Sequence, residues 1–319
     1  MRLKLLPDHT KIDFIRWRMI AFIGSAVAIV LSAIVFFTAG LNFGIDFRGG
    51  VTIEVETPEP ADLGVVRRAV GELGLGDVKV QEFGAPTDIV VFVEQQDVAQ
   101  PDEEGAEVQQ SASDQVQAAL VATLGEEIVF RRIEVVGPKV SGELVQRGGL
   151  AIGLAIAFML LYIWLRFEWQ FSIGAIAALV HDVLLTIGVF SLTQLEFNLS
   201  IVAAILTIVG YSMNDTVVVY DRVRENLRKY KKQPLLELLN ISINQTLSRT
   251  VMTSLTTLLA LGALYVLGGE VLRGFSFAMI WGVVVGTYSS IFIAAPLLLL
   301  TGVKRDWSKA AADGAPARS

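Results

Sequence analysis

Long apolar runs alternate with polar stretches along this chain and divide it into two kinds of territory. Residues 19–39, 148–165, 171–193, 198–220, 250–268 and 275–300 are almost continuously apolar. Each run is near or above the ~20 residues that a helix needs to cross a bilayer, so the pattern predicts six spanning helices. The first run is too long for the apolar part of a cleavable signal peptide, and no small-x-small site follows it cleanly. It reads as a retained anchor.

Between residues 40 and 147 the period changes. Val51, Ile53 and Val55 alternate with Thr52, Glu54 and Glu56, the two-residue repeat of a half-buried strand. Leu63, Val66, Val70 and Leu73 fall on one face of a helix over 61–73. Strand-like runs follow at 78–83 and 89–93, then a helix marked by Val116, Leu120 and Leu124, and a last strand at 128–136. The order β-α-β-β-α-β predicts an α+β, ferredoxin-like domain with its helices on one face of the sheet. The acidic, Gln-rich stretch 94–110 reads as a mobile loop. The fold class is therefore a polytopic α-helical membrane protein whose α+β domain lies between the first and second spans.

Charge orients this arrangement. Residues 1–18 carry Arg2, Lys4, Lys11, Arg16 and Arg18. The 221–249 connection carries Arg222, Arg224, Arg228, Lys229, Lys231 and Lys232, and the tail adds Lys304, Arg305 and Lys309. The short loops near 194–198 and 268–272 have no basic residue. Basic flanks remain on the cytoplasmic side. This predicts a cytoplasmic N-terminus (1–18), an extracytoplasmic domain (40–147), five further spans (148–301) and a cytoplasmic tail (302–319). Between Gly40 and Arg147 there are 8 basic and 20 acidic residues, a net −12 within a chain of net −6. Leu235, Leu236, Leu238 and Leu239 suggest an amphipathic surface helix within the 221–249 connection. Glycines spaced by four, Gly149 with Gly153 and Gly282 with Gly286, permit close helix contact.

Composition removes several chemistries. With no cysteine, disulfides, thiolate metal sites and thiol nucleophiles are excluded. His9 and His181 are too few and too far apart for a spaced metal motif, and no phosphate-binding loop ending in Gly-Lys-Ser/Thr occurs. Gly210-Tyr-Ser-Met-Asn214 only half resembles a nucleophile elbow, because Asn214 stands where the last glycine belongs. Neither an enzymatic activity nor a metal or cofactor is expected.

Three polar groups nevertheless sit at membrane depth. Asp215, with Ser212 and Asn214 beside it, lies five residues inside the fourth run, roughly 8 Å at the helical rise. Arg249 stands at the start of the fifth, flanked by Ser248, Thr250, Thr253 and Ser254, and His181-Asp182 lies near the middle of the third. A carboxylate in hydrocarbon must be protonated, paired or hydrated. Asp215 and Arg249 approach from the same end and reach similar depth. They read either as parts of a proton path or as a structural ion pair, and His181-Asp182 either as a protonatable pair or as packing.

The motifs also resemble a known family. Phe43-Gly-Ile-Asp-Phe-Arg-Gly-Gly50, Val136-Gly-Pro-Lys-Val-Ser-Gly-Glu-Leu144, His181-Asp-Val183, the run Val209 to Glu225, Gln245-Thr-Leu-Ser-Arg-Thr250 and Gly274-Phe-Ser-Phe277 resemble the SecF branch of the SecD/SecF protein-export family. The resemblance covers residues 40–300 in order. Its motif positions here are Gly44, Asp46, Gly49, Gly50, Gly137, Pro138, Gly210, Tyr211, Ser212, Asp221 and Arg222. It implies one half of a resistance-nodulation-division type transporter in the bacterial inner membrane, with SecD supplying the other half. The implied partners are SecD, the SecYEG channel with SecA, YajC, the translocating preprotein and the lipid bilayer, with no nucleic acid. The implied role is to use the proton motive force late in preprotein translocation, with Asp215 and Arg249 in proton transport. The competing reading is a stand-alone proton-driven exporter of small molecules, which usually carries two copies of this plan in one chain. A membrane-embedded hydrolase is a distant third.

Overall fold

The computed structural model describes residues 10–94 and 103–303. Arg2, Lys4, His9, the tail cations Lys304, Arg305 and Lys309, and residues 95–102 of the acidic stretch lie outside the described residues. In chain order, a single 3-10 turn, Ile15–Trp17, leads into α1 (Arg18–Ala39), α2 (Ile45–Arg48), β1 (Gly50–Glu56), α3 (Leu63–Gly71), β2 (Val78–Phe83) and β3 (Ala85–Val93). Then come α4 (Glu103–Leu124), β4 (Val129–Val136), α5 (Pro138–Arg166), α6 (Trp169–Thr193), α7 (Leu199–Lys229), α8 (Leu235–Leu267) and α9 (Glu270–Ser289). A π-helical turn, Ser290–Ala294, joins α9 to α10 (Ala295–Thr301). Among the described residues six helical stretches are long and apolar enough to cross a membrane: Ile15–Ala39, Val140–Arg166, Trp169–Thr193, Leu199–Lys229, Leu235–Leu267 and Leu272–Thr301.

The chain folds as two compact units. One comprises Asn42–Gly153 with Glu196–Val202 and contains the sheet. Its strands lie in the order β2-β3-β1-β4 with every neighbouring pair antiparallel, the order and directions of a split βαβ plan. Val51, Ile53 and Val55 of β1 face Val93, Val91 and Ile89 of β3 in register. These side chains join Val66 and Val70 of α3 and Val116 and Leu120 of α4 in one buried cluster, so both helices pack on the same face. Asp62 starts α3 by accepting the backbone N–H groups of Gly64 and Val65 at 2.8 and 3.3 Å. The helix α4 begins at Glu103, within the stretch expected to be a loop. Gln109, Ala112 and Ser113 extend the buried stripe of Val116 and Leu120 one turn and more toward the N-terminus. Composition hid this, because two of the three added positions are polar.

The other unit comprises Met1–Leu41, Leu154–Leu195 and Ala203–Ser319. At one end of it, called the near end below, Asn240 and Asn244 hold the segment ahead of α1. Asn244 accepts from the Ile12 amide at 2.9 Å and donates to the Ile12 carbonyl at 2.8 Å, while Asn240 accepts from the Ile15 amide at 3.0 Å. At the far end the Ser191 hydroxyl of α6 donates to the Gly40 carbonyl at 2.7 Å. The connection expected over 221–249 is shorter than its composition suggested. The helix α7 continues to Lys229, and the leucines expected in a separate surface helix form the first turns of α8. Leu238 and Leu239 are fully buried there, against a cluster that includes Leu227 and Val223 of α7.

Apolar lipid gives helices no hydrophobic reason to associate, so close packing and polar contacts must do it. The Gly282–Gly286 pair supplies the packing: a Cβ on Gly282 would lie 2.2 Å from Ile208, and one on Gly286 would lie 2.9 Å from Ser212. The helices α7 and α9 therefore meet backbone to side chain along this stripe. The other spaced pair, Gly149 and Gly153, is open by contrast: a Cβ on either would meet nothing within 4 Å among the described residues.

Gly282→Ala is expected to force Ile208, which is 1% exposed, out of its rotamer at a cost of about 1–3 kcal/mol. Thermal unfolding of the purified chain in detergent should show the loss. Adding Ile208→Ala should restore part of it; an additive double variant would mean that the two residues do not meet.

Candidate functional site

The middle of the second unit holds two buried carboxylates with neutral partners. Asp215 of α7 is 7% exposed and Asp182 of α6 is 1% exposed. The Thr250 hydroxyl of α8 donates to Asp215 Oδ1 at 2.6 Å, and the Ser290 hydroxyl donates to Oδ2. Asp182 Oδ2 accepts from Ser289 at 2.8 Å and from Ser212 of α7. Adjacent serines at the start of the π-helical turn thus reach different carboxylates, and Ser212 ties Asp182 to the helix that carries Asp215. Each serine has a second acceptor: Ser290 the Thr287 carbonyl at 3.0 Å and Ser289 the Gly286 carbonyl at 3.1 Å. A hydroxyl has one proton and two lone pairs. When the carboxyl group is protonated, the serine can turn its proton to the backbone and accept from the acid. Both protonation states fit the same pocket.

His181 extends the network to α1. Its Nδ1 lies 2.8 Å from Asp182 Oδ1 and its Nε2 lies 3.0 Å from the Ser25 hydroxyl. Ser25 is 3.1 Å from the Tyr288 hydroxyl, which itself donates to the Ala21 carbonyl at 3.2 Å. His181, Ser25 and Tyr288 thus form a continuous chain of polar contacts from Asp182 to the backbone of α1, in which the donor roles follow the imidazole tautomer.

The remaining sequence-derived candidates lie elsewhere. Arg249 is exposed and forms no close ion pair with Asp215 among the described residues, although its charge still acts on that carboxylate at longer range. Thr250, the next residue, takes the carboxylate instead. Asn214 is also exposed and faces away from Asp215, lining a groove of about 420 Å³ with Ala155, Phe158, Tyr162 and Gly210. Asp221 pairs with Arg166 at 2.9 Å at the near end, and Arg222 pairs with Glu225 at 2.8 Å. Tyr211 donates to Ser254 at 3.4 Å. Ser25, Tyr288, Ser289 and Ser290 were not legible as site residues, because neutral hydroxyls in apolar helices carry no charge signal.

The glycine-rich motif builds a second constellation, in the sheet-containing unit. The Gly44 amide donates to the Phe197 carbonyl at 3.0 Å, and the Phe197 amide donates to the Asn42 carbonyl at 2.7 Å. The rings of Phe43, Phe47 and Phe197 pack together with centroids 5.6 to 6.0 Å apart, Phe43 edge-on to the other two. Asp46 Oδ2 accepts the Leu199 amide at 2.8 Å and so caps the first turn of α7. Gly49 and Gly50 follow with φ of 71° and 119°, a conformation that a side chain would strain. Gly137 and Pro138 mark the junction of β4 with α5, where proline suits a first helical turn. Glu196 is an exposed residue whose Oε1 nevertheless lies against Gly44. Desolvation there, followed by repulsion from Asp46 and Glu134, pushes its pKa above the ordinary carboxylate value, and Arg132 only partly opposes this.

The family described as protein export membrane protein SecD/SecF, C-terminal, matches residues 116–304, and the SecD/SecF GG motif matches residues 34–57. A protein translocase subunit SecF of Rhodobacter capsulatus is 49% identical, with 99% of each chain covered. A protein translocase subunit SecF of Cereibacter sphaeroides is 49% identical over 97% of this chain and 95% of its own. The crystal structure of SecDF, a translocon-associated membrane protein from Thermus thermophilus, superposes with a TM-score of 0.79 at 36% identity. That match covers 93% of this chain but only 39% of the SecDF chain.

An acid whose pKa is raised by folding contributes its stability at low pH and loses it as pH rises through the folded value. Glu196→Gln should therefore flatten the pH dependence of the unfolding temperature and gain on wild type as the pH passes above the carboxylate range. Parallel curves for the two proteins would assign Glu196 no such role.

Proposed function

The chain belongs to the SecD/SecF family of protein-export membrane proteins, and from that premise we propose that it serves as a SecF-type subunit of a preprotein translocase. It is a multi-pass membrane protein with an α+β domain between its first two spans. In this reading it pairs with a SecD-type half, since it matches 39% of a chain in which both names are joined. The pair works at the SecYEG channel after SecA has used ATP, with YajC as a further neighbour. The near end faces the cytoplasm and the sheet-containing unit lies outside the bacterial inner membrane, as the basic residues of the 221–249 stretch favour.

The observation that carries this reading is the setting of Asp215. It is a buried acid within a spanning helix, met by two hydroxyls rather than by a cation. An ion pair would hold such an acid ionised, whereas hydroxyls serve its charged and neutral forms alike. Intramembrane acids of this kind mark ion pathways. Asp215 takes up a proton from the extracytoplasmic side and releases it to the cytoplasm, and the change in charge biases the packing of α7 against α8 and α9. His181–Asp182 is a second protonatable group, coupled to the first through Ser212 and the Ser289–Ser290 pair. Arg249, exposed beside Thr250, is the cation that draws the proton off Asp215 when α8 shifts. Asn214 borders the α5–α7 groove and serves the path only through its neighbours.

Inverted membrane vesicles carrying the chain with its SecD partner provide the test. Completion of preprotein translocation with ATP should be accelerated by an imposed proton gradient for wild type and unaffected by it for Asp215→Asn. Equal acceleration at equal protein levels would make Asp215 a structural residue.

A further inference from the structure

Resting on Asp215 as the coupling carboxylate, we propose that Tyr211, Ser254 and Thr287 form its proton-access step toward the extracytoplasmic face. The three helices around Asp215 repeat its polar tier once. One tier is Asp215 of α7 with Thr250 of α8 and Ser290 at the end of α9. The next comprises Tyr211, four residues earlier on α7, Ser254, four residues later on α8, and Thr287, three residues earlier on α9. Because α7 and α9 run opposite to α8, all three displacements lead one turn toward the far end. The second tier is itself hydrogen-bonded: Ser254 and Thr287 hydroxyls lie 2.7 Å apart, and Tyr211 donates to Ser254 at 3.4 Å. One helical turn, ~5.4 Å, separates the tiers, and a single water spans it.

The opposite direction is closed by apolar side chains, apart from the Tyr220 hydroxyl, which donates to the Ala294 carbonyl at 3.0 Å. One turn toward the near end, Val219 of α7, Leu247 of α8, and Ile293 and Ala294 of the π-helical turn belong to one continuous buried apolar cluster. Thr246 sits beside them with its hydroxyl on the carbonyls of Ser242 and Ile243 in its own helix, whereas Thr287, which donates to the Val283 carbonyl at 2.7 Å in its own helix, also meets Ser254 across the helices. The asymmetry does not follow from helix packing alone, since hydroxyls used only to hold helices together have no reason to lie on one side of the acid. A separate observation points the same way. Ser276 lies on the same face of α9, three turns further toward the far end, and is fully buried with a hydroxyl that has no hydrogen-bond partner among the described residues. Such a group calls for water.

The step is a hydroxyl relay. A proton arriving at the oxygen of Thr287 or Ser254 forms one O–H bond as that hydroxyl's own proton leaves for the next oxygen. The bridging water repeats the exchange, the last O–H bond forms on Asp215, and each hydroxyl is restored by rotation. Side-chain oxygens and water suffice.

The experiment compares Thr287→Val and Ser254→Ala with Thr287→Ser and Ser254→Thr in the same vesicles, with Asp215→Asn alongside. Protein level and recovery of the partner subunit serve as the structural readout. Thr287→Val and Ser254→Ala are expected to slow the gradient-dependent part of translocation roughly tenfold or more, while ATP-driven translocation without a gradient is unchanged. The hydroxyl-retaining pair should behave as wild type. Tyr211→Phe removes one oxygen at the entrance and should give a smaller slowing, which keeps the test open if a core variant accumulates poorly. A wild-type gradient response in Thr287→Val, Ser254→Ala and Tyr211→Phe, with Asp215→Asn still unresponsive, overturns the access route and leaves Asp215 in place. A responsive Asp215→Asn overturns the underlying reading instead.

Discussion

No water is available inside a bilayer to solvate a polar group, so every acid placed there must find its partners within the protein. The span-bearing unit meets this constraint with hydroxyls. Thr250 and Ser290 serve Asp215, and Ser212, Ser289 and His181 serve Asp182. Everything else in the unit is arranged so that these short side chains can reach. Serine spans little distance, so α7 and α9 must lie almost in contact, and the Gly282–Gly286 stripe against Ile208 and Ser212 allows it. Tyr220 donates to the Ala294 carbonyl at 3.0 Å and meets Phe167 and Phe171 edge to face, which ties α7 to the π-helical turn and to the start of α6 below the acids.

The pattern of apolar runs was enough to find the six spans, and strand-period alternation was enough to order the sheet. Both signals are carried by many residues at once. Buried charge was equally legible: Asp215 and His181-Asp182 stand out because ionisable groups are costly in hydrocarbon. The partners were not. Depth placed Arg249 level with Asp215, but depth does not say which way a side chain points, and adjacent helical residues point about 100° apart. Thr250 faces the acid and bonds it, while Arg249 is exposed and acts on it only at longer range. The same geometry separates Asn214 from Asp215. Element boundaries failed where polar residues are buried, as with Gln109 in α4, or where an amphipathic leucine run opens a longer helix, as at the start of α8.

The glycine-rich motif makes sense as a fastening. Its Asp46 caps α7, its phenylalanines pack against Phe197, and its paired glycines turn the chain directly into β1. The central strand of the domain and the first turn of the helix bearing Asp215 are thus joined through seven residues.

The π-helical turn has a consequence for chain length. A π turn carries one residue more than the α-helical turn it replaces, and Pro296, which has no amide hydrogen to give the Phe292 carbonyl, keeps the extra residue from being reabsorbed. Loss of one residue from this stretch would let it close as an ordinary α-helical turn with α9 and α10 still in phase. A loss that spares Ser290 leaves both serines on their acids, whereas loss of Ser290 itself leaves Asp215 with the Thr250 hydroxyl alone. Length is therefore negotiable in this one turn, and the serine is not.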